Sequence, residues 1–523
     1  MRKFIISVFF LVNFLTANAH PAQHFGKIKF ITTGKQLAQP YFENGVLLLH
    51  SFLYEDARKA FQLAEKHDPN FALAYWGEAM TYNHTIWNEQ NRKLALDALN
   101  KFAPTPKARI SKAKGRKEKL LMHAIDTLYG PGKKIIRDNR YADIMEKIYR
   151  KYPDDDEVAS FYALSLLGVS EGQRSEKTYM QAAAIADEIY SRNMMHPGAL
   201  HYAIHAYDDP MHAPLGLRAA RRYAQIAPDA SHALHMPSHI YIALGLWDEV
   251  IKSNQAAWNA SIKHNPLQNP KAYTIDDFHA LQWLSYAYLQ KCQFDKSLAL
   301  VKKMQEITLK ASSPMAKWYY TLMRAAYIIE TKNYNSNLIS FNLTGVELAA
   351  RASNYYVEVI NALNHSDLHT AQLVAQSLNN DLRKSGNGND NYHDYFVSTS
   401  STSVRLSKII ALEIKAQILA YQKKNPLKYL NAAVKIENKL SFAYGPPIPT
   451  VPAYELLGEY LLKMGRYKTA YTAFYMALNR NPARRVAKKQ LFIIKHKLAS
   501  EGISVPENLH PYFNKLMLPN YYH

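Results

Sequence analysis

Residues 454–482 read YELLGEYLLKMGRYKTAYTAFYMALNRNP, and this stretch decides the fold. Leu457, Gly458, Gly465, Tyr467, Ala470, Phe474, Ala477 and Pro482 alternate large and small residues at helical spacing on either side of a glycine turn. The pattern predicts two antiparallel helices joined at Gly465. Small residues at 458 and 470 let the helices approach to about 8–10 Å, large ones fill the gaps between successive hairpins, and Pro482 stops the second helix. The same offsets recur at Tyr41, Gly45, Ala57, Phe61, Ala64 and Pro69.

These are the spacings of the tetratricopeptide repeat (TPR), and the chain resembles that superfamily. Less regular copies keep the register. Leu200, Ile204, Gly216, Ala220, Tyr223 and Pro228 form one, and the next, with Leu234, Ser238, Gly245, Trp247 and Ala257, starts one repeat period of 34 residues later. Another follows at Leu281, Ser285, Phe294, Ser297, Val301 and Met304, and a partial unit sits at Leu73, Trp76 and Gly77. The chain beyond residue 19 is similar to a family of exported bacterial TPR proteins. The resemblance is carried by LLLHSFLYEDARKAF (47–61), FALAYWGEAMTYNH (71–84), HAYDDPMHAPLGLRAARRYAQIAPDASHALHMPSHIY (205–241) and the last repeat. It implies an all-α fold of TPR-type helical hairpins stacked as an α-solenoid with irregular helical insertions. It implies no biochemical activity.

Composition agrees. Only 19 Gly and 24 Pro in 523 residues leave little punctuation for the turns of an all-β protein. A single cysteine excludes a disulfide framework and any cluster built from cysteine ligands. Residues 1–19, with Arg2 and Lys3 before an apolar run and Ala17-Asn18-Ala19 after it, predict a signal peptide cleaved after Ala19, hence a periplasmic or secreted protein. No later segment reads as a transmembrane anchor. The expected organisation is N-terminal TPR units at 20–87, a helical insertion with a basic run at 88–155, and a central TPR-like array at 156–305. Irregular hairpins with a polar loop at 385–402 then occupy 306–442, a C-terminal TPR unit 443–500 and a tail 501–523. Outside the cytoplasm, the net charge of +21 favours anionic envelope components over nucleic acid as partners.

Histidine is the concentrated chemistry. Seven of the 21 fall between His196 and His239. His201 and His205 sit three before and one after the small slot at Ile204, and His235 and His239 occupy the same offsets around Ser238. At 100° per residue both pairs lie off the intra-repeat stripe, toward the concave groove. His232 and His279 share a further offset, six before the slot. Two histidines four apart on one helix can aim at one metal ion, and a second pair on a neighbouring helix can complete the site. His201, His205, His235 and His239 therefore read as ligands of zinc or another divalent metal, with Asp208 and Asp209 as further ligands or supporting partners, as a hydrogen-bonded polar network lining the groove, or as catalytic or ligand-binding histidines without a metal. Neither pair has a glutamate after its first histidine, which disfavours zincin proteolysis, and Pro237 interrupts the second pair.

The same groove register holds Glu78, Glu455 and Glu459, which with His232 and His279 form a predicted partner-binding set. No phosphate loop, nucleophile elbow or other catalytic motif is present, so no catalytic residue is predicted. Two readings result. One is an exported scaffold that binds a protein, peptide or envelope polymer in its groove. The other is a divalent-metal protein, or a metal-dependent hydrolase, using the central histidines.

Overall fold

A computed structural model describes residues 24–169, 174–265, 268–311, 313–385, 400–442, 444–448 and 450–502. The predicted signal peptide lies outside them, as do most of the predicted polar loop and the C-terminal tail. Successive helices pair as antiparallel hairpins, including Gln39–His50 with Tyr54–His67, Pro197–Tyr207 with Ala213–Ile226, Ile275–Gln290 with Phe294–Ala311, and Ala453–Lys463 with Tyr467–Arg480. Helix starts are set locally. Asp155, Ser175 and Ser313 each accept the backbone N–H three residues on.

The predicted small slots explain how tightly the hairpins close. A Cβ at Gly45 would lie 2.7 Å from the Phe61 ring, and one at Gly77 would lie 2.3 Å from it, so the two glycines sandwich that ring. Gly458 receives Phe474 in the same way at 3.0 Å. Where both slots hold serine, Ser285 and Ser297 hydrogen-bond at 2.9 Å. The chain is a TPR-type α-solenoid.

Hairpin turns carry a left-handed residue after the first helix: Gly245 (φ 68°), Gly465 (φ 72°), and also Phe52 (φ 56°) and Cys292 (φ 57°). Cys292, whose turn position suggests a packed small residue, is exposed. The only sheet among the described residues is a short antiparallel ladder, Asn83–His84 with Glu89–Gln90, that presents Trp87 at its tip.

The solenoid curls until its C-terminal unit meets its centre. Trp247 Nε1 donates to the Ala483 carbonyl at 3.3 Å, and the Arg485 N–H donates to Gln290 Oε1 at 2.9 Å. Arg484, fully buried, forks onto Glu455 at 2.7 and 2.8 Å, pairs with Glu330 at 2.7 Å and donates to the Tyr286 hydroxyl at 2.9 Å. Burial opposes the charge on Arg484, but Glu330 and Glu455 hold its pKa above the ordinary arginine value. This closure turns the concave groove into a chamber.

Candidate metal centre

Helix Pro197–Tyr207 carries His201 and His205. Short helix Ser231–His235 and helix Pro237–Leu244 carry His232, His235 and His239. Met236 keeps helical angles (φ −52°, ψ −36°) although it precedes Pro237, so the run bends without losing direction. His235 and His239 therefore still converge, with their Nε2 atoms 3.2 Å apart.

The structure corrects the expected grouping. The four predicted ligands do not share one centre; they divide between two trios, and the third member of each comes from the set assigned to partner binding. His201, His205 and His232 bring one ligand atom each within 4.8 Å of one another, as do His235, His239 and His279. In the first trio His201 Nε2 lies 3.1 Å from His205 Nε2 and 3.2 Å from His232 Nε2.

Hydrogen bonding at the far ring nitrogens fixes the tautomers of His201, His232, His235 and His239. His201 Nδ1 is 2.6 Å from the carbonyl of His50, a helix-end oxygen that can only accept, so the proton is on Nδ1 and Nε2 presents a lone pair. His235 Nδ1 faces Asn254 Oδ1 at 2.6 Å, and Asn254 is held in that orientation because its Nδ2 donates to the Val250 carbonyl. His239 Nδ1 donates to Asp208 at 2.6 Å, and His232 Nδ1 to Asp276 at 3.3 Å. Burial opposes the ionised Asp276, but His232 outweighs it and keeps that carboxyl below its ordinary pKa. Lone pairs thus face one another at 3.2 Å between His201 and His232 and between His235 and His239. Tetrahedral ligands bound at about 2.0–2.1 Å stand about 3.3 Å apart, close to this spacing.

Apolar walls back both trios. The Phe52 ring centroid is 4.2 Å from that of His201, and Trp283 lies 4.5 Å from His239 and 4.9 Å from His235. Burial, then neighbouring imidazoles, lowers the pKa of His201, His205 and His235 well below the histidine norm, and His279 is pushed down to about 3. The trios border a cavity of about 330 Å³, walled by Trp87 from the N-terminal ladder, by Trp283 and Tyr319, and by Tyr444, Pro447 and Arg480 from the returning C-terminal unit.

A third cluster supplies a contrast. Glu157 takes His50 Nε2 at 2.8 Å and His196 Nε2 at 3.1 Å, the Tyr202 hydroxyl meets His50 Nδ1 at 2.8 Å, and His196 Nδ1 accepts the Ala199 N–H. Burial opposes the Glu157 charge, yet His50 and His196 hold its pKa far below the carboxylate range. Every lone pair here meets a proton, as in a structural network.

The remaining predicted residues lie elsewhere. Asp208 supports His239 from behind, whereas Asp209 pairs with Arg174 and with His212 Nδ1 at 2.8 Å, away from the convergent nitrogens. Glu78 is buried and bound by Lys101 at 2.7 Å and Gln62 at 2.8 Å. Glu455 holds Arg484, and Glu459 is half-buried, its pKa raised by burial and then by Glu455. The basic run is partly internal, since Arg109 is buried against Asp126. Asn254, Asp276 and Phe52 carry no sequence signal that ties them to the histidines.

No family model matches the chain, and no curated protein does. Among solved structures it is similar to the P58(IPK) TPR domain, at 13% identity over 89% of this chain and 99% of that one, with a TM-score of 0.20. Yeast Tom70 is similar at 12% identity over 92% of both chains, TM-score 0.33, and the human IFIT1 dimer with m7Gppp-AAAA at 14% over 90% and 91%, TM-score 0.33. The fold rests on the repeats themselves. Such a solenoid is a scaffold suited to protein binding. Among the described residues, no helix is long and apolar enough to cross a membrane.

Proposed function

We propose that this chain is an exported metalloprotein whose two histidine trios each hold a transition-metal ion at the wall of the TPR chamber. The observation that carries the reading is the facing of lone pairs at 3.2 Å, His201 to His232 and His235 to His239, between imidazoles protonated at Nδ1. Such nitrogens repel unless a metal ion or an added proton lies between them. Three protein ligands leave a coordination position open, the arrangement of catalytic rather than structural sites. The chamber of about 330 Å³ admits a small molecule and no folded partner, so the substrate class is a small molecule compatible with aromatic walls. Export is supported by residues 1–19 and by a design that uses imidazole where thiolates would oxidise. Any protein partner then docks on the outer surface of the scaffold.

Elemental analysis of untagged, full-length protein tests the reading. About two equivalents of metal per chain are expected, with a gain in Tm on adding metal to the stripped protein. Metal below about a tenth of an equivalent, with no gain in Tm, overturns it.

A further inference from the structure

Rings of different trios stand hardly further apart than rings of the same trio. Within a trio the centroids are 4.8 Å (His201–His205), 5.0 Å (His201–His232), 5.1 Å (His235–His239) and 4.6 Å (His235–His279) apart. Between trios, His205 and His239 are 5.8 Å apart and His232 and His235 6.3 Å. Two ions held by these rings are near neighbours. Among the described residues the candidate inner shells are wholly imidazole, and the carboxylate that acts on both trios, Asp276, lies beside His232 and His279 at the chamber wall. Charge is balanced by two carboxylates that hydrogen-bond the rings at Nδ1: Asp276 on His232, acting also on His279, and Asp208 on His239.

We infer that the two sites form one coupled dinuclear copper centre whose ions share a bridging oxygen donor. This rests on the metal reading above and goes further in naming the ion, the nuclearity and the bridge. Charge and donor type both point there. A neutral three-imidazole shell with a single carboxylate behind it balances a monovalent ion, which copper supplies and zinc does not. In the divalent state nitrogen donors bind copper above the other first-row ions. Two divalent ions side by side in a desolvated pocket repel strongly, and with no carboxylate in either trio a small shared anion such as hydroxide offsets that repulsion. The cavity side of both trios, where His205, His232, His239 and His279 line the chamber, is where that ligand enters.

The test is copper(II) titration of stripped, full-length protein followed by electron paramagnetic resonance and elemental analysis. Two equivalents bind, and the integrated spin falls far below the bound copper because bridged cupric ions couple. His279→Ala keeps one copper and recovers spin equal to it, and His232→Ala does the same from the other side, so misfolding of one variant leaves the other to report. Two bound coppers with full, uncoupled spin overturn the dinuclear centre while leaving the metal reading standing. Two tightly held zinc ions that copper does not displace overturn the choice of copper in the same way. Failure to bind any metal overturns the metal reading itself, and this inference with it.

Discussion

Replacing Arg484 with methionine tests whether the buried ion network holds the chamber shut. In the wild type its guanidinium makes two hydrogen bonds to Glu455, one to Tyr286 and an ion pair with Glu330, with the side chains of both acids nearly inaccessible. Methionine keeps most of the apolar stem but strands Glu455 without a countercharge and leaves Glu330 with Arg485 alone. Breaking one partner out of a buried pair costs about 3–5 kcal/mol. That cost falls on the docking of the C-terminal hairpin Ala453–Arg480 against helix Ile275–Gln290, so the equilibrium for local opening rises by about a hundredfold or more. Hydrogen exchange read by mass spectrometry at neutral pH resolves it: peptides covering 453–480 and 444–448 lose protection, while those of helix Tyr54–His67 keep theirs. Adding Glu455→Gln removes the stranded charge and restores most of the protection. Unchanged exchange in 453–480 for the single variant refutes the latch, as does uniform loss across the chain.

Other expectations concern the histidines. Acid should unfold the metal-free protein early: His279 is neutral in the fold down to about pH 3, so the unfolded chain binds its proton first. Stability is then lost as pH falls below the ordinary histidine pKa of about 6.5, by about 2 kcal/mol at pH 5 from this residue, with His201, His205 and His235 adding in the same direction. Urea midpoints at pH 7 and pH 5 measure this, and equal midpoints contradict it. Glu157→Gln removes the charge that orients His50 and His196, and through the His50 carbonyl it loosens His201, so metal affinity falls about 10–100-fold in competition titrations. Gly198→Ala places a Cβ 2.5 Å from His50 Nδ1 and costs about 1–3 kcal/mol of stability by urea unfolding.

The fold was legible because TPR hairpins announce themselves through small and large residues at fixed offsets, and Gly45, Phe61, Gly458 and Phe474 do in space what those offsets require. The clustering of histidine on one face was legible for the same reason. Pairing across repeats was not. His232 joins His201 only because the next first helix starts beside it, a product of superhelical curvature that single-helix geometry does not contain. The supporting partners were less visible still: His50 contributes a backbone carbonyl, Phe52 a ring held at positive φ, and Asn254 an amide from the second helix of a hairpin. Glu455 sits in the predicted groove register, yet Arg484, 29 residues on, takes it into the interior.

The two trios are translated copies of one site. Each uses the positions three before and one after a first-helix slot, and takes its third histidine from six before the slot of the next unit: His201 and His205 with His232, then His235 and His239 with His279. The series stops at both ends for identifiable reasons. One unit on, the paired positions are Gln282, which lines the chamber, and Tyr286, which holds Arg484. One unit back, the position six before Ile204 is Gly198, whose missing side chain leaves room for the His50 ring, and there the chemistry becomes the proton-satisfied Glu157 network. Copies related by one repeat should fill separately even where their ions later couple. His232→Ala should therefore remove one ion and leave the other in the His235, His239 and His279 trio, and His279→Ala should do the converse. Loss of both ions from each variant, with unfolding excluded by circular dichroism, would show a single site spread over six histidines and defeat the repeat-by-repeat origin.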